Sequence, residues 1–214
     1  MIARLPASLT PAADAAALFA RLSQQECAAE GLLLHGADLS GTEYEGLRLH
    51  GVLFENCRLT GCRWERASLT DAVFRGCELS GSSWEDSFFE RTEFTDCKAA
   101  GIRFGQTGWR QAAFSGCALC GAGFDYARLR SVKFSHCALD QATFSACMWK
   151  DLCFSQTALC AASFLHTPLA GLDLTGCDID GLAVSDTNAE LRGAIVTAAQ
   201  AAMLAKRLGL VVRI

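Results

Sequence analysis

The sequence predicts a solenoid, because an apolar residue recurs every five positions across most of the chain. The series of central residues starts at Leu34 and reaches Val184 without a slip, giving 31 consecutive pentads in which only Ala99 is small. An α-helix repeats every 3.6 residues and a β-strand every 2, so neither element explains a period of five. A short period sustained over so many units is typical of a solenoid, in which each unit buries its apolar residue by stacking on its neighbours.

A second period, of twenty residues, predicts that the solenoid has four sides. Every fourth central residue belongs to one ladder of similar side chains, and we name each side after its first member: the Leu34, Leu39, Tyr44 and Leu49 sides. Stacking of like shapes at the strand spacing of ~4.8 Å favours such ladders. The aromatic ladders are Phe54, Phe74, Phe94, Phe114, Phe134 and Phe154 on the Leu34 side, and Trp64, Trp84, Phe104, Phe124, Phe144 and Phe164 on the Tyr44 side.

The run from Ala37 to Gly41 reads A-D-L-S-G and is repeated with variations to residue 186. This pattern resembles the pentapeptide-repeat protein family. The resemblance implies an all-β solenoid, a right-handed quadrilateral parallel β-helix with one pentad on each side and four in each coil. The pentads then make about eight coils, and the rod is about 37 Å long at the β-strand spacing.

The periodic stretch predicts one rod with a cap at each end. We expect an N-terminal capping helix in residues 1–31, the repeat β-helix in residues 32–187, and a C-terminal helix plus short strand in residues 188–214. The formal net charge of −4 does not indicate a nucleic-acid-binding protein, which is usually basic. No apolar run is long enough to span a membrane, and residues 1–31 lack the apolar core of a signal peptide. We therefore expect a cytoplasmic protein that binds neither nucleic acid nor membrane directly.

The twelve cysteines predict packing rather than disulfides or a metal site. A second inward-facing residue stands two positions before each central residue, and a buried thiol there acts as a small hydrophobe. Cys117 and Cys120 form a C-x-x-C pattern, but one faces inward and the other outward, so they cannot share a metal. We expect no metal and no cofactor. Six cysteines take the inward position on the Leu39 side: Cys57, Cys77, Cys97, Cys117, Cys137 and Cys177.

Residues 10–30 have the pattern of a helix that covers the first coil. Thr10 suits the N-cap, Pro11 the first helical position and Gly31 the stop. The alternative of a partner-binding helix stays open. The apolar stripe at helical spacing consists of Ala15, Leu18, Phe19 and Leu22.

A second helix is predicted near the C-terminus, where Thr197 and Gln200 have the form of a capping box and Gly209 suits a helix stop. The run from Ala202 to Val212 resembles the C-terminal module of the Qnr-type quinolone-resistance proteins. That resemblance implies a homodimer, with an interface formed by Leu208, Leu210, Val211, Val212 and Ile214. The helical residues expected to face the last coil are Ala201, Leu204, Ala205 and Leu208.

The sequence offers no catalytic pattern, so we expect a non-enzymatic protein. A catalytic site needs a nucleophile, a base and an orienting partner that converge in a concavity. No phosphate-binding loop or nucleophile-elbow motif occurs, and a filled straight rod has little concavity. The four histidines are scattered along outward positions: His35, His50, His136 and His166.

The resemblance to Qnr-type proteins implies a rod that imitates duplex DNA, binds DNA gyrase or another type II topoisomerase, and modulates quinolone sensitivity. A mimic needs an acidic surface, because duplex DNA carries one negative charge per ~1.7 Å of axis. The Tyr44 side has a net charge of −4, whereas the Leu49 side has +3. The Qnr-type loops that interrupt the coils are missing between residues 32 and 186, so the loop-dependent mode of protection does not carry over. Some loop-free relatives still bind gyrase, so the resemblance continues to imply a topoisomerase partner. The candidate acidic contact residues are Glu43, Glu45, Glu65, Glu85, Asp86 and Asp125.

The alternative function is an interaction scaffold or regulator with an unrelated protein partner. Large apolar residues stand at four outward positions where polar residues are expected: Phe88, Tyr126, Met148 and Leu165. Phe88 and Met148 share the basic Leu49 side, so a contact surface that is both apolar and cationic is conceivable there.

Overall fold

The computed structural model describes residues 2–207 and 209–212, and it is a parallel β-solenoid of about seven turns. The period of the sequence predicts about eight coils. The strands on the Leu34 side end at Ser155, and the pentads that follow keep their inward residues buried and pair only through isolated bridges. The strands are β1 (Thr10–Pro11), β2 (Ala28–Glu30), β3 (Leu32–His35), β4 (Glu43–Glu45), β5 (Arg48–His50), β6 (Leu53–Glu55), β7 (Arg63–Glu65), β8 (Ser68–Thr70), β9 (Val73–Arg75), β10 (Phe88–Thr95), β11 (Gly108–Ser115), β12 (Arg128–Ser135) and β13 (Met148–Ser155).

The register confirms the predicted period of twenty. Phe94 pairs with Phe114, and Phe114 with Phe134, each in a parallel ladder. The ring centroids of Phe94 and Phe114 are 4.6 Å apart, and those of Phe114 and Phe134 are 4.8 Å apart. Like side chains therefore stack coil on coil along the whole rod, which is how each pentad buries its central residue.

The second inward position is also buried, and its polar atoms have a structural role that the sequence did not reveal. Cys77 Sγ lies 3.5 Å from the carbonyl oxygen of Phe54, and Cys97 Sγ lies 3.5 Å from that of Phe74. These thiols donate to backbone carbonyls of the preceding coil. The cysteines carry free thiols, and burial raises the pKa of Cys62 and Cys147 to about 12.

The N-terminal helix α1 (Ala15–Gln25) is shorter than the predicted one and begins at a different cap. The Asp14 side chain accepts from Ala17 N–H at 2.9 Å, so the prediction of Thr10 as the N-cap is wrong. Thr10 and Pro11 form β1 instead, and Thr10 N–H donates to the Gly31 carbonyl at 2.7 Å. The first coil exposes backbone groups that need partners, and β1 supplies them. Gly31 does not stop the helix, which ends at Glu26 with φ 52°.

The inner face of α1 covers the core of the first coils. Phe19 is fully buried, and its ring centroid lies 5.4 Å from that of Trp64 and 6.1 Å from that of Tyr44. The repeat also starts one pentad earlier than predicted, because β2 pairs with β5 in the same register.

The C-terminal helix α2 (Ala198–Lys206) has the predicted capping box between Thr197 and Gln200. Gln200 is buried and Leu204 packs against the core, whereas Ala201 is exposed, so the predicted inward stripe is right for Leu204 and wrong for Ala201. Gln200 Nε2 donates to the carbonyls of Leu174 and Cys177, both at 2.8 Å. Ile195 pairs with the last coil through Leu172 and Leu174, and the Gln200 side chain supplies a donor to two further carbonyls, which an apolar stripe cannot do. A 3₁₀ turn, Ala189–Leu191, precedes this helix.

Past the helix, residues 210–212 form no strand within the described part of the chain, where the sequence predicted a short one. A strand needs a neighbour for its backbone groups, and the described part of this chain supplies none there. The predicted interface residues Leu208 and Ile214 lie outside the described residues. Across residues 2–207 and 209–212, no helix combines the length and apolarity needed to cross a membrane.

Candidate partner-binding surfaces

The structure brings the predicted acidic residues of the Tyr44 side into one column. Glu45 and Glu65 are partners in the parallel pair of β4 and β7. Glu85 follows twenty residues later at the same position of the next coil, and Asp125 two coils beyond that. Gly105 stands between them and interrupts the column of carboxylates.

The other two predicted acidic residues flank this column. Glu43 pairs with Arg63 in the register of β4 and β7, and its side chain is exposed. Asp86 lies at the corner after Glu85, with a backbone φ of 56°, and is also exposed. The six predicted residues therefore share one side of the rod, as the period of twenty indicated.

Arginines interleave with the carboxylates and offset part of their charge. Arg66 Nη1 pairs with Glu45, Arg63 Nε lies 3.6 Å from Glu65 Oε1, and Arg103 Nε lies 3.6 Å from Glu85 Oε1. Exposed ion pairs of this kind contribute about 0–1 kcal/mol to stability, so their main effect is on the surface potential. The side is a mixed stripe with an acidic excess.

The Asp125 carboxylate accepts hydrogen bonds from within the rod. It accepts from Thr143 Oγ1 at 2.7 Å and from Ser145 N–H at 2.8 Å. Together with Glu85, Arg103 and Tyr126 it lines a shallow cleft of about 400 Å³ above Gly105. These hydrogen bonds therefore hold the Asp125 carboxylate in place beside the cleft.

The four apolar residues predicted to face outward are indeed exposed. The exposed fraction is 67% for Tyr126, 60% for Met148, 39% for Phe88 and 37% for Leu165. Phe88 and Met148 lie on the Leu49 side, and Tyr126 lies at the corner between that side and the Tyr44 side. This edge therefore has a different chemistry from either flat side.

A buried ion pair at another corner was not predicted. Arg91 donates Nε to Asp71 Oδ1 at 2.8 Å and Nη2 to Asp71 Oδ2 at 2.7 Å. The N–H of Arg4 donates to Asp71 at 2.8 Å, and that of Ala3 donates to Glu93 at 2.8 Å, which ties the N-terminal arm across the coils. Asp71 and Arg91 are twenty residues apart at one corner position, so the period alone could have identified this pair.

The histidines do not converge on one site. His35 Nδ1 lies 3.0 Å from Glu55 Oε2, and His50 Nε2 lies 3.9 Å from Glu30 Oε1. His136 and His166 are exposed on later coils. Over the part of the chain that the structure describes, no three His, Cys, Asp or Glu side chains lie close enough together to hold a metal ion.

The sequence of residues 33–104 matches the family model described as a pentapeptide repeat region. No protein of curated function matches the chain. Similar solved structures include full-length QnrB1, a plasmid-mediated fluoroquinolone resistance protein, at 18% identity over 83% of this chain and 97% of that chain, with a TM-score of 0.38.

Two further similar structures come from cyanobacteria. HetL of Nostoc sp. strain PCC 7120, a pentapeptide-repeat protein involved in heterocyst differentiation regulation, is 20% identical over 77% of this chain and 87% of its own, with a TM-score of 0.31. The pentapeptide-repeat protein Rfr23 of Cyanothece 51142 is 11% identical over 83% of this chain and 96% of its own, with a TM-score of 0.32.

Proposed function

Because this chain carries a pentapeptide-repeat region, we propose that it is a non-enzymatic binding protein that acts as a mimic of duplex DNA. Its partner in this proposal is DNA gyrase or another type II topoisomerase, and its binding modulates quinolone sensitivity. The observation that carries the proposal is the in-register column of Glu45, Glu65 and Glu85, flanked by Glu43 and Asp86 on the Tyr44 side. A topoisomerase surface that binds DNA phosphates has the opposite charge, and such surfaces attract aligned carboxylates.

The spacing of the column sets how closely the rod can imitate DNA. Successive coils place one carboxylate per ~4.8 Å, whereas duplex DNA has one charge per ~1.7 Å. The pairing of Arg63, Arg66 and Arg103 with the column lowers the charge density further. The interaction is therefore weaker than one with DNA of the same length, and it weakens as the salt concentration rises.

A homodimer is part of the same proposal. Leu210, Val211 and Val212 are exposed large apolar residues at one end of the rod, where isolated chains rarely leave such residues together. With Leu208 and Ile214 they form the proposed interface between two copies. The proposal places the protein in the cytoplasm and requires no cofactor.

Direct binding to purified DNA gyrase tests the acidic contact. Biolayer interferometry compares the wild type with a Glu85→Lys, Asp86→Lys double variant, which should bind about tenfold more weakly or worse because two attractive charges become repulsive. The matched control is Asp178→Lys with Asp180→Lys on the Leu39 side, where both carboxylates are also exposed. Equal affinities for the wild type and the Glu85 and Asp86 variant contradict the acidic contact.

A second candidate function is an interaction scaffold with an unrelated protein partner. It is favoured by the exposed apolar residues Phe88, Tyr126 and Met148, which have no role in DNA mimicry. If gyrase shows no binding at all while the rod is folded, this candidate replaces the first.

A further inference from the structure

The exposed large apolar side chains of the repeat region gather along a single edge of the rod. Among the described residues between 32 and 187 they are Phe88, Tyr126, Met148 and Leu165. All four lie on or beside the edge where the Tyr44 side meets the Leu49 side. Scattered apolar residues are normal on a surface, but such a concentration on one edge of four marks a contact site.

The same edge has a groove. Gly108 forms part of its floor, and the ring of Phe88 lies over Gly108, where an added Cβ would approach Phe88 Cδ2 to 2.8 Å. Tyr126, Arg128 and Met148 line a cleft of about 470 Å³ that includes Gly108. An adjoining shallow, open depression of about 430 Å³ shares Arg128 and Met148 and extends to Trp149 and Lys150. We call the cleft and the depression together the edge groove. Its lining includes Asp86, Gly108, Tyr126, Arg128, Arg130, Met148 and Lys150, and the ring of Phe88 lies beside it over Gly108.

The cations along the groove are stacked and lack carboxylate partners. Arg130 pairs in register with Lys150, and Arg128 pairs with Met148, so three positive groups lie within two adjacent coils. Among the described residues, no carboxylate lies within 4 Å of any of these three groups. In contrast, every arginine and lysine between residues 58 and 110 has a carboxylate within that distance: Arg58, Arg63, Arg66, Arg75, Arg91, Lys98, Arg103 and Arg110.

We infer that the edge groove binds an acidic, amphipathic segment of a partner protein. An apolar side chain of the segment enters between Tyr126 and Met148, and its carboxylates contact Arg128, Arg130 and Lys150. Aromatic residues, methionine and arginine are the types enriched in the centres of protein interfaces. This inference deepens the scaffold function proposed above by naming the chemistry of its partner, and it does not depend on the acidic column.

The charges around the groove favour a peptide over a nucleic acid. Asp86 lines the cleft together with Tyr126 and Arg128. A phosphate backbone carries a charge on every nucleotide and would meet this carboxylate, whereas a peptide can place an uncharged residue beside it. Glu85 and Asp125 line the next cleft along the edge, with the same effect on a longer strand. Three cations beside these acids are also few for a phosphate backbone, whose binding depends on the number of neutralised phosphates.

A peptide selection tests the inference even though the partner protein is unidentified. A phage-displayed library of random 12-residue peptides is selected on the immobilised wild-type protein and counter-selected on an Arg130→Glu, Lys150→Glu variant. We expect the enriched peptides to combine an excess of Asp and Glu with at least one large apolar residue. Enrichment of peptides without an acidic excess, or no enrichment over the counter-selection, contradicts the inference.

Fluorescence anisotropy with a labelled peptide of the enriched sequence then measures the contacts. Affinity should fall about tenfold or more in the Arg130→Glu, Lys150→Glu variant and in Met148→Ser, since a charge pair and an apolar anchor are lost. Lys133→Glu is the matched control, because Lys133 is an exposed cation of the same coil on the Leu34 side. Thermal unfolding checks that all variants remain folded. Equal affinity for the wild type and the groove variants overturns the inference.

Two further experiments distinguish peptide binding from nucleic-acid binding and from gyrase binding. A labelled 20-nucleotide DNA, single-stranded and duplex, replaces the peptide. Binding of this DNA that the Arg130→Glu, Lys150→Glu variant abolishes, without peptide binding, identifies a nucleic-acid surface and overturns the inference. Gyrase binding of the same variant distinguishes the two proposals, because it should be unchanged. Glu43→Lys with Glu45→Lys, which lie outside the groove, should weaken gyrase binding and leave the peptide affinity within about twofold.

Discussion

The indole Nε1 of Trp109 donates to the hydroxyl of Thr107 at 2.7 Å, and both side chains are buried in the core of the rod. Trp84 Nε1 likewise donates to the hydroxyl two residues before it, Ser82 Oγ, at 3.1 Å. Trp149 follows Cys147 rather than a hydroxyl residue, and its Nε1 donates to a backbone carbonyl at a partly exposed position. Trp64 also follows a cysteine, Cys62, but it is fully buried because its Nε1 donates to Thr42 Oγ1 of the preceding coil at 3.1 Å. A hydroxyl at the second inward position of the same or the preceding coil therefore accompanies each fully buried tryptophan.

Replacing Thr107 with valine should destabilise the protein by about 1–3 kcal/mol, because the buried indole N–H of Trp109 loses its acceptor while the side-chain volume is nearly unchanged. Urea unfolding followed by circular dichroism measures this change. The control is Thr70→Val at an outward position, which should alter the free energy of unfolding by less than about 0.5 kcal/mol. Equal stability of the two variants contradicts the role of the hydroxyl.

Two neighbouring substitutions test which face of α2 packs against the last coil. Gln200→Ala should destabilise the last coil, because the carbonyls of Leu174 and Cys177 lose their donor. Ala201→Gln should have little effect, since Ala201 is exposed. Hydrogen exchange of residues 169–184 measures the local effect. Faster exchange in the Ala201 variant than in the Gln200 variant contradicts the finding that Gln200, and not Ala201, faces the last coil.

The core of the rod and its two caps differ in how far the sequence could predict them. The ladder through Phe114 follows from a period that admits only one register, so the fold and the inward direction of the ladder residues were predictable. The caps were not, because Thr10 and Gln200 serve to satisfy backbone groups of the first and last coils, and that need is set by tertiary structure.

The positions of the acidic residues on the candidate surface were predictable, but their ion pairs were not. The period placed Glu45, Glu65 and Glu85 in one column, but it could not show that Arg63 and Arg103 would turn toward them. Ion pairing between exposed side chains depends on rotamers, which periodicity does not determine.

Asp71 should make the stability of the protein sensitive to acid. Burial raises the pKa of this carboxyl, but the hydrogen bonds from Arg91 and from Arg4 N–H outweigh it and hold the pKa below the ordinary value of 3.8. Because the folded-state pKa is depressed, the stabilisation is complete above the unfolded-state value and is lost as the pH falls through the folded-state value.

The substitution Asp71→Asn tests this account through the melting temperature. At pH 7 the variant should melt at a lower temperature than the wild type, and the difference should shrink as the pH falls below 3.8. Asp151→Asn is the control, since Asp151 lies at the same corner position but is exposed. A difference that stays constant between pH 7 and pH 2 contradicts the ionic contribution of Asp71.

The proposed dimer predicts a particle of twice the monomer mass of 22.9 kDa. Size-exclusion chromatography with light scattering at micromolar concentration measures it. Val211→Asp should convert the dimer to a monomer, because a charge would be buried in an apolar interface. Ala199→Asp, at an exposed position of α2, should leave the mass unchanged. A monomeric wild type contradicts the dimer.

A DNA gyrase supercoiling assay, with and without a fluoroquinolone, tests the central claim most directly. The account predicts that adding this protein at low micromolar concentration inhibits supercoiling or protects the enzyme from the drug, since the rod and DNA compete for one surface. Glu85→Lys with Asp86→Lys should abolish the effect, whereas Arg130→Glu with Lys150→Glu should preserve it. Supercoiling and drug sensitivity that remain unchanged by the folded wild-type protein would contradict a DNA mimic acting on gyrase.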